Sequence, residues 1–427
     1  MNPLFSRKST VVAFALTSVL AIAKPLPGSS WKFDFLNEPA VSGTTTVAAT
    51  DNFSEERGYG FDLGTRPEAD GKPFFFSVAV PEGNYRVSVT FGDRQASSVN
   101  TVKAESRQLM IERVETKPGE FVTNDFIVNV RDSHVPPPEK NAPGGSEVAL
   151  NDREKGLLRW DDKLTLEFNG SSPKVAALAI TRVEVPTVFL AGDSTVTDQP
   201  YEPGASWGQM LPRFLTGVAV ANHAESGETM KSFISGLRLA KLLSQAKAGD
   251  YLFIQFAHND EKKNWPQTYV EAHTTYKAYL KVFIAEARLR GMTPVLVTPM
   301  QRRTFDSAGK IRNTHGDYPQ AMREVATEEK VALIDLERMS VAFYEALGPK
   351  KAPLAFSAHG RDATHQDNYG AYELAKCVVQ GIRDANLPLA KSIVTDFAGF
   401  DPAHPDDPES FALPASPMHS DIAPRGN

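Results

Sequence analysis

The sequence predicts two unlike folds in series: an all-β sandwich, then a three-layer α/β domain built on a parallel sheet. Three observations carry that expectation. Residues 31–185 repeat apolar side chains at every second position. After Pro186 the apolar runs become short and continuous and alternate with stretches of helical period. The residues with reactive side chains then gather just after those runs.

The first 23 residues have the pattern of an export leader. Arg7 and Lys8 precede an apolar stretch over residues 11–23, which closes on Ala21-Ile22-Ala23. The stretch is short for a bilayer span, so cleavage after Ala23 and export, to a periplasm or beyond the cell, are expected. No second segment has the length for a membrane span, and the mature chain is expected to be soluble.

Residues 28–185 form the expected sandwich domain. Phe76, Val78 and Val80 alternate, as do Tyr85, Val87, Val89 and Phe91, and Pro81-Glu82-Gly83-Asn84 lies between the two runs. That arrangement predicts a hairpin. Further alternation over residues 109–114, 126–130, 164–168 and 177–183, with no convincing helix between, predicts an antiparallel sandwich. Residues 135–145, rich in Pro and Gly, read as a surface loop.

Residues 186–394 form the expected α/β domain. Apolar runs at 188–191, 218–221, 251–256, 295–298 and 331–335 alternate with helical stretches, the clearest over 268–290. There Tyr276, Tyr279, Leu280, Phe283, Ile284 and Ala287 share one face, and Gly291 ends the helix. Alternation of this kind makes a parallel sheet covered on both faces, with ligands bound beyond the carboxyl ends of its strands. The Pro-rich tail, residues 395–427, carries Phe397, Phe400 and Phe411 and is expected to lie along the folded surface.

The composition excludes several classes. Net charge is −6 over 427 residues, with Lys and Arg dispersed, against a nucleic-acid partner. One cysteine, Cys377 in an expected core helix, excludes a disulfide framework or a Cys-based metal site. The nine histidines show no HExxH spacing, although His359 and His365 flank Asp362. No Walker-type loop is present.

The chemistry-bearing segments are Gly192-Asp193-Ser194-Thr195 and Asp362-Ala363-Thr364-His365. The first leaves Ser194 at the end of a buried strand. In the second, one turn of backbone lets Asp362 accept the Nδ1 proton of His365, which frees Nε2 to take a proton from a serine. Two more strand ends lead into Asn222-His223-Ala224-Glu225-Ser226-Gly227 and His258-Asn259-Asp260. A glycine amide and an asparagine amide are donors suited to an ester's developing oxyanion. These are the parts of an acyl-transfer site.

Ser194, Gly227, Asn259 and His365, in that order and with Asp362 three residues before the histidine, resemble the namesake residues of the SGNH (GDSL-type) hydrolases. Within that superfamily Gly-Asp-Ser-Thr, Trp207-Gly208-Gln209 and His258-Asn259-Asp260 are most similar to rhamnogalacturonan acetylesterases. The resemblance spans residues 187–390 and departs at Ala257, where the family often has glycine. It implies a flavodoxin-like domain in which Ser194 is the nucleophile, His365 the base and Asp362 its orienter. The amides of Ser194 and Gly227 and the Asn259 side chain would form the oxyanion hole, and neither metal nor cofactor is implied. The expected partner is an acetylated plant cell-wall polysaccharide, with acetyl groups removed from pectic rhamnogalacturonan. Acetylxylan or another ester is the alternative within the class, and a non-catalytic carbohydrate-binding protein is the reading from outside it.

Other residues carry two readings each. Arg302 and Arg303 follow the fourth strand and suit galacturonate carboxylates, or form a solvated pair. Gly204-Ala205-Ser206-Trp207-Gly208 matches a nucleophile elbow, but without the strand that motif needs, Ser206 reads as a helix cap. His258 reads as support for the Asn259 loop and Asp193 as a buried turn carboxylate. The sandwich resembles galactose-binding-like carbohydrate modules in strand pattern alone, with Tyr59, Phe61 and Trp160 as either a sugar platform or core.

Overall fold

The computed structural model describes residues 25–36, 42–68, 71–141, 143–420 and 422; the expected leader, residues 1–23, lies outside them. The N-terminal half holds β1 (Pro25–Asp34), β2 (Thr45–Thr46), β3 (Tyr59–Asp62), β4 (Phe74–Ala79), β5 (Gly83–Phe91), β6 (Ser98–Ala104), β7 (Gln108–Thr116), β8 (Val122–Val130), β9 (Lys163–Ser172) and β10 (Val175–Val183). Among the described residues these make two five-stranded sheets, ordered β2-β1-β10-β5-β8 and β3-β4-β9-β6-β7. Pairing is antiparallel except where β2 joins β1. Val87, Val89 and Ile180 from one sheet and Phe74, Phe76 and Leu166 from the other close a single core, which makes the pair a sandwich.

The hairpin expected across Pro81-Glu82-Gly83-Asn84 is not formed. β4 pairs with β3 and β9, and β5 with β10 and β8, so the turn carries the chain from one sheet to the other. Alternation reports which face of a strand is apolar, and both sheets face the same core, so a hairpin and a sheet-crossing corner share one pattern. The buried Tyr85 secures the corner by donating its hydroxyl to the Pro81 carbonyl. Phe61 and Trp160 are buried, and Tyr59 packs on the sandwich core, so the three aromatics do not form an exposed platform.

The C-terminal half holds β11 (Thr187–Gly192), α1 (Trp207–Met210), β12 (Ala219–Asn222), α2 (Met230–Ser235), α3 (Arg238–Gln245), β13 (Tyr251–Gln255), α4 (Lys277–Leu289), β14 (Thr293–Val297), α5 (Tyr318–Glu329), β15 (Ala332–Ile334), α6 (Leu336–Lys351) and α7 (Asn368–Asp384). Its sheet is parallel and ordered β12-β11-β13-β14-β15. One face packs on α2 to α5 through Phe233, Leu242, Phe283 and Met322. The other packs on α1, α6 and α7 through Trp207, Phe343 and Val378. β11 lies between β12 and β13, so successive connections leave it in opposite directions and a crevice opens at its carboxyl end. The helix expected over residues 268–290 begins later. Glu271 caps a π-helical turn, Ala272–Tyr276, and α4 follows.

The halves are joined by buried polar groups. Gln108 of β7 donates to Asp198 (2.8 Å), which also accepts from Asn222 (2.7 Å). Arg131 donates to the Asn222 carbonyl, and Arg107 donates to the carbonyls of Gln199 (3.0 Å) and Gly204 (2.8 Å). The loop expected over residues 135–145 belongs to a longer irregular segment whose end turns inward. There Glu154 and Arg159 are buried against the α/β half. The tail laces the two together: Phe397 joins the core over α1 and α7, while Ser416 donates to Glu167 of β9 (2.7 Å) and to Glu202 (2.9 Å).

Candidate active site

Ser194 sits directly beyond β11, whose six residues are all buried. The turn that presents it needs Gly192. A Cβ there would lie 2.6 Å from the Val196 side chain and 2.9 Å from the Gln255 carbonyl. Asp193 then ties the turn: its carboxylate accepts from the Thr195 amide (3.0 Å) and hydroxyl (2.7 Å). Gln255 reaches the same hydroxyl (2.7 Å) and is itself held by the Trp207 indole (2.9 Å). Ser206 caps α1 by accepting from the Gln209 amide, so its hydroxyl is occupied as a cap.

His365 reaches Ser194 from the loop before α7. Its Nε2 is 2.8 Å from Ser194 Oγ, and its Nδ1 is 2.8 Å from Asp362 Oδ2. The other Asp362 oxygen accepts the amides of Thr364 (2.7 Å) and His365 (2.9 Å). Burial alone would raise the Asp362 carboxyl, but the imidazole and these amides hold it at about 2. An ionised Asp362 keeps a proton on Nδ1, leaving Nε2 as the acceptor toward serine. The charges are arranged for proton abstraction from Ser194.

Asn259, beyond β13, lines the same cavity with its amide held at both ends. Its Nδ2 donates to the Glu228 carbonyl (3.0 Å), and its Oδ1 accepts from Lys262 Nζ (3.1 Å). One N–H of that amide is left to point elsewhere. Gly227 lies on the adjoining loop at φ +85°, a left-handed backbone suited to glycine. His258 is buried 3.3 Å from Asp193. Burial pushes its imidazole down to about 4, against the pull of Asp193. The Asp193 carboxyl, which burial would raise, is held at about 2 by His258 and Thr195.

The two arginines divide. Arg302 lines the serine cavity and pairs with Glu261 (2.7 Å), which also holds His315 (2.8 Å). Arg303 instead donates to the carbonyls of Gly360 (2.6 Å) and Asp362 (3.2 Å) and stacks on Phe356, so it braces the triad loop. The cavity at Ser194 measures about 160 Å³ and is lined by Ser194, His258, Asn259, Lys262, Arg302, Thr364 and His365. Sequence reasoning missed Lys262, whose contact with Asn259 depends on how the loop after β13 turns back. It also missed Arg159, which comes from the other half to pair with the buried Glu225 beside Gly227.

The model of the GDSL-like lipase/acylhydrolase family matches residues 190–366. Rhamnogalacturonan acetylesterase RhgT of Bacillus subtilis is 41% identical over 222 residues, 49% of this chain and 94% of that protein. The chain belongs to the GDSL-like lipase/acylhydrolase family. It is a serine carboxylic-ester hydrolase. A second Bacillus subtilis protein, the probable rhamnogalacturonan acetylesterase YesY, is 41% identical over 49% of this chain and 98% of its own length. The uncharacterized esterase YxiM of the same organism is 27% identical over 83% of this chain and 90% of its own length, a match that reaches into the sandwich half. A crystal structure of a Bacillus subtilis protein aligns with 84% of this chain and 99% of its own at 25% identity and a TM-score of 0.47.

Proposed function

We propose that this hydrolase is an exported carbohydrate esterase that removes acetyl groups from pectic rhamnogalacturonan through an acetyl-enzyme on Ser194. The observation that carries the reading is the cavity at Ser194. It is about 160 Å³, below the usual range of about 300–1,000 Å³ for small-molecule pockets, and its described lining is polar or cationic throughout. It suits a short acyl group on a polar alcohol rather than a lipid chain.

The Ser194 Oγ proton passes to His365 Nε2 as Oγ bonds to the acetyl carbon, and the carbonyl oxygen becomes the oxyanion. The amides of Ser194 and Gly227 and the Asn259 side chain donate to it. Collapse breaks the bond to the sugar oxygen, which takes the proton from His365. Water then gives a proton to Nε2 as it attacks the acetyl carbon, and the bond to Oγ breaks as Oγ takes that proton back, which frees Ser194 and the acetic acid. Asp362 holds the imidazolium in place throughout.

The substrate class draws support from the two relatives at 41% identity, a rhamnogalacturonan acetylesterase and a probable rhamnogalacturonan acetylesterase. Export draws support from the leader pattern of residues 1–23. The test is acetate release from acetylated polysaccharides by the wild type beside Ser194→Ala and Asp362→Asn. Release from rhamnogalacturonan is expected to fall about 10⁶-fold in the first and about 10⁴-fold in the second. Release from xylan alone would replace the substrate and keep the mechanism. A folded protein that binds polysaccharide and releases nothing would overturn both.

A further inference from the structure

Both backbone amides assigned to the oxyanion hole sit on irregular backbone at the seam between the two halves. Ser194 lies in the turn after β11, and Gly227 lies midway along residues 223–229, which join β12 to α2. Donors to an oxyanion act only at a fixed spacing, and a misplacement of about 1 Å can cost about 10²-fold in rate. One loop must therefore be held against the other.

A single side chain touches both. Arg159, buried in the helical turn Leu158–Trp160 of the sandwich half, donates one terminal nitrogen to the Thr197 hydroxyl (3.0 Å) and the Asp198 carbonyl, just past Ser194. Its other terminal nitrogen pairs with Glu225, just before Gly227. The Thr197 hydroxyl extends the tie by donating to the Ala224 carbonyl (2.7 Å). One planar guanidinium thus spans the two loops with its fork, which an ammonium on a flexible stem does not do.

The sandwich also holds the far side of Gly227. Glu154, fixed by the Trp160 indole (3.2 Å), pairs with Arg238, and Arg238 pairs with Glu228 (3.3 Å). The Glu228 carbonyl accepts from Asn259 (3.0 Å), so the third donor is tied to the same loop. Buried ion pairs add little net stability over apolar residues of the same volume. What they add here is geometry, because they grip the loop at Glu225 and Glu228, on either side of Gly227.

We propose that Arg159 is a positioning residue of the oxyanion hole, through which the sandwich half sets the spacing of the Ser194 and Gly227 amides. Arg159 lies outside the described lining of the serine cavity and acts through Thr197 and Glu225. This rests on the reading of Ser194 as nucleophile and Gly227 as donor, and it holds for any ester the site accepts.

The test uses the full chain with phenyl acetate, which carries no sugar for the sandwich to bind. Arg159→Lys keeps a charge opposite Glu225 but cannot bridge the two loops. It should lower kcat about 10- to 100-fold and leave KM within about twofold. It should also weaken methylboronic acid by the factor lost in kcat. That probe bonds its boron to Ser194 Oγ and places a tetrahedral anion among the donors, so it reads their placement at equilibrium. Arg159→Met combined with Glu225→Gln removes both buried charges together, so it should stay folded and keep the kcat loss.

Wild-type kcat in either variant, a loss confined to KM, or unchanged boronate affinity would overturn the proposal. Unfolding of both variants would make the pair a stability element and overturn it as well. If phenol release is lost in Ser194→Ala but indifferent to Arg159, only the positioning role falls. No release by the wild type would overturn the acyl-enzyme reading and the positioning role with it.

Discussion

Arg238, at the start of α3, donates both terminal nitrogens to the two carboxylate oxygens of Glu154, on the long loop of the sandwich, and the two side chains are 1% and 0% exposed. The Arg238 Nε also pairs with Glu228 (3.3 Å), whose carbonyl accepts from Asn259. A sandwich carboxylate is thus three contacts from the amide that lines the serine cavity.

Glu154→Ala leaves Arg238 charged and without that partner in a dry site. The expected loss is about 3–5 kcal/mol, read as a fall in the denaturant midpoint at unchanged slope. A midpoint within error of the wild type would mean that the pair contributes nothing net.

A fragment of residues 186–420 should not fold cooperatively. It strips Asp198 of Gln108, the Asn222 carbonyl of Arg131 and Glu225 of Arg159, all at buried positions beside the site. Near-ultraviolet circular dichroism and thermal melting report the outcome. A sharp melt with full esterase activity would show that the seam is dispensable.

Asn259→Ala should lower kcat about 10²- to 10³-fold with little change in KM, because the donor acts on the developing oxyanion. Lys262→Met should give a smaller loss, again in kcat, since Lys262 only orients that amide. An effect of Lys262→Met confined to KM would assign it to substrate contact instead.

Protonation of two buried histidines, and then of Asp193, should each destabilise the fold as the pH falls. His223 and His258 are buried, and burial holds both below the ordinary value of 6.5, His258 at about 4. Their stabilisation is full above pH 6.5 and is lost as the pH falls toward 4, because the unfolded chain takes up those protons first. Asp193, held at about 2 against an ordinary 3.8, adds a loss between those values of about 2 kcal/mol. Asp161, Glu225, Asp367 and Glu373, pushed by burial to about 7, act in the opposite sense over pH 7 to 5. The histidine contribution is therefore read as the difference in denaturant midpoint between the wild type and His258→Asn across that interval. A difference that does not change from pH 7 to 5 would show that His258 contributes nothing to the pH dependence.

Much of this was legible in short stretches. Residues 187–192 read as a buried strand because every side chain in them is apolar or small. Asp362 and His365 read as partners because three residues of backbone bring them into reach. The corner at Pro81 did not, since pattern records an apolar face but not which strand lies beside it. Arg302 and Arg303 were equal in sequence, yet one lines the cavity and the other braces a loop.

By itself the sequence determined the two folds, their order and the segments that converge at the serine. Each of these depends on local periodicity or on spacing within one turn. Only the tertiary structure decided that the sandwich reaches the loop after Ser194, that Lys262 orients Asn259, and that Glu154 and Arg159 brace the loop near Gly227. Those contacts join residues as far as 84 positions apart. The turn of the loop after β13 sets the Lys262 contact and the packing of two cores against each other sets the rest, and no local pattern records either.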